Sequence, residues 1–156
     1  MKVVLLVVGK TDEGCWKEAV DEYSRRLSHY IPFETAVISE QKKKNRTDSQ
    51  QKEQEGRLIV SSLDEGDSCV LLDERGQSFS SIQFASYIEK KMLSGLKRLV
   101  FITGGPYGYS DEVYERVSER ISLSKMTFSH QMVRSIFVEQ LYRAMTILRR
   151  EQYHHE

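Results

Sequence analysis

The chain has no excess of either charge: 23 Lys and Arg face 23 Asp and Glu. No global field therefore draws it to nucleic acid, and any polyanion must be met by a local patch. Cysteine is scarce. Cys15 and Cys69 lie far apart, form no metal-ligand spacing, and read as reduced, partly buried thiols of a cytosolic protein. Long apolar runs are also missing. Val3 to Val8, behind Met1-Lys2, is too short for a membrane span or a signal segment. No targeting element is visible, so a cytoplasmic location is expected. The dinucleotide fingerprint G-x-G-x-x-G, the P-loop and the hydrolase elbow G-x-S-x-G do not occur. Neither does a nucleophile–base pair, a glycosidase-type carboxylate pair or a metal cluster. No repeat or low-complexity tract appears.

What is present alternates. At 156 residues the chain is most simply one domain, residues 1–156. Val3 to Val8 closes at Gly9 and reads as a strand buried on both faces, which favours a parallel sheet flanked by helices. Thr11 or Asp12 can cap a helix to about Ser28, with Trp16, Ala19, Val20, Tyr23 and Leu27 on one face. Pro32 breaks the pattern, and Phe33 to Ile38 reads as a second strand. A polar stretch follows, with Lys42, Lys43, Lys44 and Arg46. It reads as a solvated loop, or as a basic finger that touches phosphates. Gln50 to Leu63 continues as a polar helix, and Ser68 to Leu72 is a third strand ending in a turn, Asp73-Glu74-Arg75-Gly76. Ser80 or Ser81 caps a helix through Phe84, Ile88 and Met92. Lys97 to Ile102, Asp111 to Val117 and Ile121 to Leu123 read as strand, short helix and strand. From about Gln131 a long helix buries Val133, Phe137, Leu141, Ala144 and Leu148. This order predicts an α/β sandwich on a mainly parallel sheet.

The last third holds most of the functional information. Leu99 to Ile102 runs into Gly104-Gly105-Pro106-Tyr107-Gly108, and Ile121 to Leu123 runs into Ser124 to Ser129. Ligands of open α/β sheets bind beyond the carboxyl ends of the strands. Three such ends, at Leu72-Asp73, Thr103 to Gly105 and Ser124 to Ser129, are expected to converge on a small-molecule site. His130 follows that last loop directly. Tyr153, His154 and His155 form a tail that either frays or closes over a site. Arg134, Arg143, Arg149 and Arg150 recur along the last helix, as a solvated face or as a phosphate-facing strip with Tyr142 and Tyr153 able to stack on bases.

Five motifs taken in order, Leu71 to Gly76, Phe101 to Gly108, Leu123 to His130, Glu139 to Ala144 and Tyr153 to His155, resemble the RlmH family of SPOUT methyltransferases along essentially the whole chain. The resemblance implies a three-layer α/β/α sandwich with a five- to six-stranded sheet and a C-terminal trefoil knot. It implies a homodimer that uses S-adenosylmethionine to methylate N3 of a pseudouridine in 23S ribosomal RNA at the subunit interface, with no metal and no membrane. Carried over by position, the cofactor contacts are Leu72, Gly105 within the pair Gly104-Gly105, Ser124, Lys125, Met126, Thr127, Phe128 and Ser129. Apolar Leu72, Leu123 and Met126 can wall an adenine ring. The catalytic candidates are His130 or His154 as general base, Arg143 to hold a phosphate or stabilise developing charge, and Tyr153 to contact the target base. Two other readings remain open at this point. One is a non-catalytic module that binds an adenine ligand or RNA. The other is a knotted methyltransferase acting on transfer RNA, for whose usual extra RNA-binding domain the chain has no room.

Overall fold

The computed structural model describes residues 1–12, 14–39 and 46–154. Ten elements alternate: β1 Lys2–Val8, α1 Gly14–Leu27, β2 Phe33–Ile38, α2 Asp48–Ser61, β3 Ser68–Ser78, α3 Ser81–Leu93, β4 Arg98–Thr103, α4 Asp111–Arg116, β5 Glu119–Ser122 and α5 Met132–Leu148. The five strands form one sheet in the order β2-β1-β4-β3-β5, and every pairing is parallel. Lys42 to Asn45 of the expected basic finger, and His155 of the tail, lie outside the described residues.

Side chains of a strand alternate between faces, and β1 buries both sets. Val3, Leu5 and Val7 pack with α1, α3 and α5, where Phe101 and Phe137 meet at 4.7 Å between ring centres. Val4, Leu6 and Val8 pack with α2 and α4 through Ile59 and Val113. The result is a three-layer α/β/α sandwich, as the alternation predicts. Thr47 and Gln50 form a capping box, so α2 starts two residues before the expected Gln50. Ser80 and Gln83 do the same for α3.

Three expectations change. The turn at 73–76 is an excursion within β3 rather than its end. Both Leu72 and Gln77 register with Ile121, so the chain leaves the ladder and rejoins it. Gly76 permits this: a Cβ there would sit 2.6 Å from backbone atoms of Arg120 and Ile121. Second, Arg134 is not on a solvated face but fully buried, whereas Val133 and Leu148 are only half-buried. Third, Cys15 is exposed rather than partly buried, while Cys69 is half-buried.

Candidate functional site

A cleft of about 500 Å³ opens beyond the carboxyl ends of β4 and β5 and beside the excursion within β3. The three segments singled out in the sequence do converge there, although Leu72-Asp73 lies within β3 and not at its end. Leu72, Gly104, Gly105, Ser124, Met126, Thr127, Phe128 and Ser129 all line it, as does His130. Lys125, exposed on the same loop, does not.

The floor is built from β4 and the turn after it. Thr103 ends the strand, and Gly108 at φ +77° closes a tight turn by donating its N–H to the carbonyl of Gly105 at 3.1 Å. A Cβ on Gly105 would lie 2.2 Å from Oε2 of Glu55, a carboxylate on α2 that is only 4% exposed. Glycine at 105 therefore leaves the volume that Glu55 fills beneath the floor. Tyr109 ties the floor to the wall: its hydroxyl lies 2.7 Å from the carbonyl of Ile102 and 3.0 Å from that of Leu72. Burial raises its phenol well above the ordinary range, so it remains a donor.

The wall is the excursion of β3. Asp73 is buried and accepts from the Arg75 amide at 2.9 Å and from the Tyr114 hydroxyl at 2.7 Å. The Arg75 guanidinium stands farther off, at 3.4 and 3.5 Å from the two carboxylate oxygens. Burial pushes the Asp73 carboxyl up, but the hydrogen bonds from Arg75 and Tyr114 outweigh it and hold the group below its ordinary value. Arg75 also donates to the Tyr114 hydroxyl and lies 5.2 Å from the centre of its ring. Across the cleft, Thr127 donates to Glu74 at 2.8 Å and joins the wall to the roof.

The roof is the segment between β5 and α5. Ser122 donates to the Ser124 carbonyl, and the Ser124 hydroxyl accepts from the Met126 amide, both at 2.9 Å. These bonds fix the loop while leaving Met126 76% exposed at its tip. Ser129, three residues before α5, holds the start of the helix, accepting from the Met132 amide through its hydroxyl and from the Val133 amide through its carbonyl. The start of α5 is then pinned to the end of β1. Arg134 donates to the carbonyl of Val8 at 2.5 Å, the carbonyl of Gly9 at 3.0 Å and the hydroxyl of Thr11 at 2.9 Å. Gln131 donates to the carbonyl of Lys10 and to Asp12.

The other catalytic candidates gather elsewhere. Tyr153 and His154 are half-buried, docked back on α5 rather than frayed. Tyr153 donates to Glu139 at 3.1 Å, which makes Tyr23 the donor in its 3.1 Å contact with Tyr153. Its ring lies 4.8 Å from the Arg143 guanidinium, which is held by Glu139 at 2.6 Å. Burial, then Tyr23 and Glu139, raise the Tyr153 phenol far above neutrality. The Arg143 guanidinium stands 3.4 Å from Nδ1 of His154. A guanidinium only donates, so Nδ1 accepts and a neutral His154 carries its proton on Nε2. None of Arg143, Tyr153 and His154 lines the cleft. Arg143 follows the cleft residue Val133 by ten positions, about 15 Å along the helix axis. One chain thus holds His130 and the tail group apart.

Sequence reading missed Glu55, Tyr109 and Tyr114. Glu55 sits in a polar helix and gives no signal, and the tyrosines reach the site only through the fold. Among the described residues no group of three His, Cys, Asp or Glu can hold a metal, and no helix is long and apolar enough to cross a membrane.

The sequence matches a family model described as "Predicted SPOUT methyltransferase" over residues 1–154. It is 61% identical over 157 aligned residues, covering all of both chains, to a protein of Parabacteroides distasonis named ribosomal RNA large subunit methyltransferase H. Proteins of the same name from Porphyromonas gingivalis (57%, all of both chains) and Christiangramia forsetii (56%, 99% of both) are similar throughout.

Proposed function

The chain belongs to the SPOUT methyltransferase family, and on that premise we propose that it methylates N3 of a pseudouridine in 23S ribosomal RNA with S-adenosylmethionine as donor. The observation that carries this reading is the cleft, lined by the three converging segments, in a chain that matches the family over residues 1–154.

The residues present fit that donor. The cleft volume of about 500 Å³ lies in the range of small-molecule sites. Leu72, Leu123 and Met126 offer apolar walls for an adenine. Thr103 presents at the floor a buried hydroxyl without a partner among the described residues, which a polar ligand would satisfy. Bound S-adenosylmethionine supplies a sulfonium methyl as electrophile. The chain holds the base in line with it and removes the N3 proton. His130 lines the cleft, which supports it as the acceptor of that proton, a role worth ~10²–10⁴ in rate. Arg143 and the Nε2–H of His154 are donors suited to the charge that develops on the base oxygens. Tyr153, a phenol at neutral pH, steadies Arg143 and contacts the target base.

Because His130 and the Arg143 group are separate on one chain, the reaction centre needs the cleft of one copy and the tail of a second, which a homodimer supplies. The trefoil path belongs to the same reading. Residues 123–131 run from β5 past the β3 excursion, where Thr127 meets Glu74, to Lys10 after β1. Zero net charge favours a target with many contacts, so the substrate is the assembled ribosome rather than a naked hairpin.

The test is transfer of labelled methyl to ribosomes lacking the modification, compared with free large subunits and naked RNA. Label is expected on one pseudouridine, in assembled particles only. His130→Ala and deletion of residues 153–156 should each abolish transfer while leaving donor binding in place. Donor binding without transfer to any RNA would make this a binding module.

A further inference from the structure

At the edge of the cleft, two arginines flank Tyr114. Arg120 lies 4.6 Å from the centre of the Tyr114 ring, and Arg75 lies 5.2 Å from the same centre. Arg120 has no carboxylate within ion-pair distance among the described residues. Its neighbour Glu119 cannot serve, because alternation along β5 sends Glu119 to the opposite face, where it accepts from Tyr87 and Lys91. Arg75 keeps a side chain 64% exposed, and its contacts to Asp73 are long. Glu74 turns to Thr127 instead. Asp73 pairs with Arg75 but not with Arg120, so an anion on the outer side that both guanidinium groups can reach would offset the charge that remains.

We propose that Arg75 and Arg120, flanking Tyr114 at the outer lip of the cleft, grip backbone phosphates of the RNA substrate. The assignment rests on the RNA-methylating function proposed above and adds the point where the strand leaves the site. Arg75 lines the cleft and Arg120 does not. The cationic track therefore runs outward from the reaction site, as a polymer must, and reaches beyond what a small donor would occupy. A guanidinium presents several N–H groups in a planar fork suited to phosphate oxygens. Tyr114, fixed by its hydroxyl to Asp73, is the post that orients both. In a chain whose charges sum to zero, two adjacent arginines at the lip are the local patch that a polyanion requires.

The experiment measures ribosome binding of the wild type, Arg120→Gln, Arg120→Lys and Arg75→Gln across a salt series, with donor affinity and thermal unfolding followed in parallel. Each Gln variant should weaken ribosome binding about tenfold and reduce the slope of log affinity against log salt by about 1. Arg120→Lys should keep the slope and recover part of the affinity. Arg120→Gln should bind donor and melt as the wild type does. An unchanged slope in both Gln variants overturns the assignment, even if affinity falls, since that loss would be structural. Wild-type protein that binds donor but no ribosome overturns the functional reading, and this assignment with it. Wild-type methylation with slopes unchanged in the variants overturns this assignment alone.

Discussion

Replacing Arg134 by methionine should loosen the whole donor site, although Arg134 touches no ligand. The guanidinium is fully buried and donates to the carbonyls of Val8 and Gly9 and to the hydroxyl of Thr11. Methionine fills similar length but donates nothing. Three acceptors then lose a buried partner, at about 1–3 kcal/mol each. Removing a buried charge returns part of that loss, because its desolvation no longer opposes folding. The acceptors are neutral and stay behind, so the unpaired groups win, with a net cost of roughly 2–4 kcal/mol. For a chain of this size 1 kcal/mol moves Tm by about 2–4 °C, which gives a fall of roughly 5–15 °C. The same change frees the start of α5 from the end of β1, and with it Ser129, His130 and Val133 at the cleft. Donor affinity should therefore fall as well. Thermal unfolding by circular dichroism and donor calorimetry at low temperature read the two effects separately. Arg134→Lys keeps the charge but not the fork, and should fall between. A methionine variant that melts within about 2 °C of the wild type and binds donor equally well would refute the pinning of α5 to β1.

Gly76→Ala places a Cβ against backbone atoms of β5 that cannot yield, so the ladder beyond the excursion should open at a cost of about 1–3 kcal/mol. A G76A protein with wild-type Tm would contradict the close approach of β3 and β5. Acid should reach the cleft wall through Asp73. Its folded carboxyl sits below the ordinary value, so its contribution is complete above the unfolded value of about 4 and is lost as pH falls through the folded one. Tm and donor affinity should therefore be insensitive to Asp73 titration from about pH 8 down to about pH 5 and decline below about pH 4. Asp73→Asn should remove that share of the acid loss, and an unaltered acid profile would show that the wall does not depend on this charge.

Local rules make much of this protein legible from its residues. The run Val3 to Val8 can only be a strand buried on both faces, and it is β1. Ser80 and the 3.6-residue spacing behind it place α3 to within a residue. The small-residue loops after Ile102 and Ser122 mark the cleft, because parallel strands deliver their carboxyl ends to one edge of the sheet. The excursion at 73–76 was less legible. Asp-Glu-Arg-Gly is turn chemistry, and nothing local says that the strand resumes against the same partner, Ile121.

Tertiary structure alone decided which charges are buried and which groups meet. Arg134 looks like any arginine on a helix face, and its partners lie more than 120 positions earlier in the chain. Tyr109 joins the end of β4 to Leu72 within β3 only because those two strands lie side by side. Tyr153 and His154 read as a tail that either frays or closes over a site until Glu139, Arg143 and Tyr23 are brought to them. Propensity and periodicity are fixed within a few residues. The burial of a charge, and the partner that makes it tolerable, depend on contacts between segments remote in sequence, which exist only once the sheet order is set.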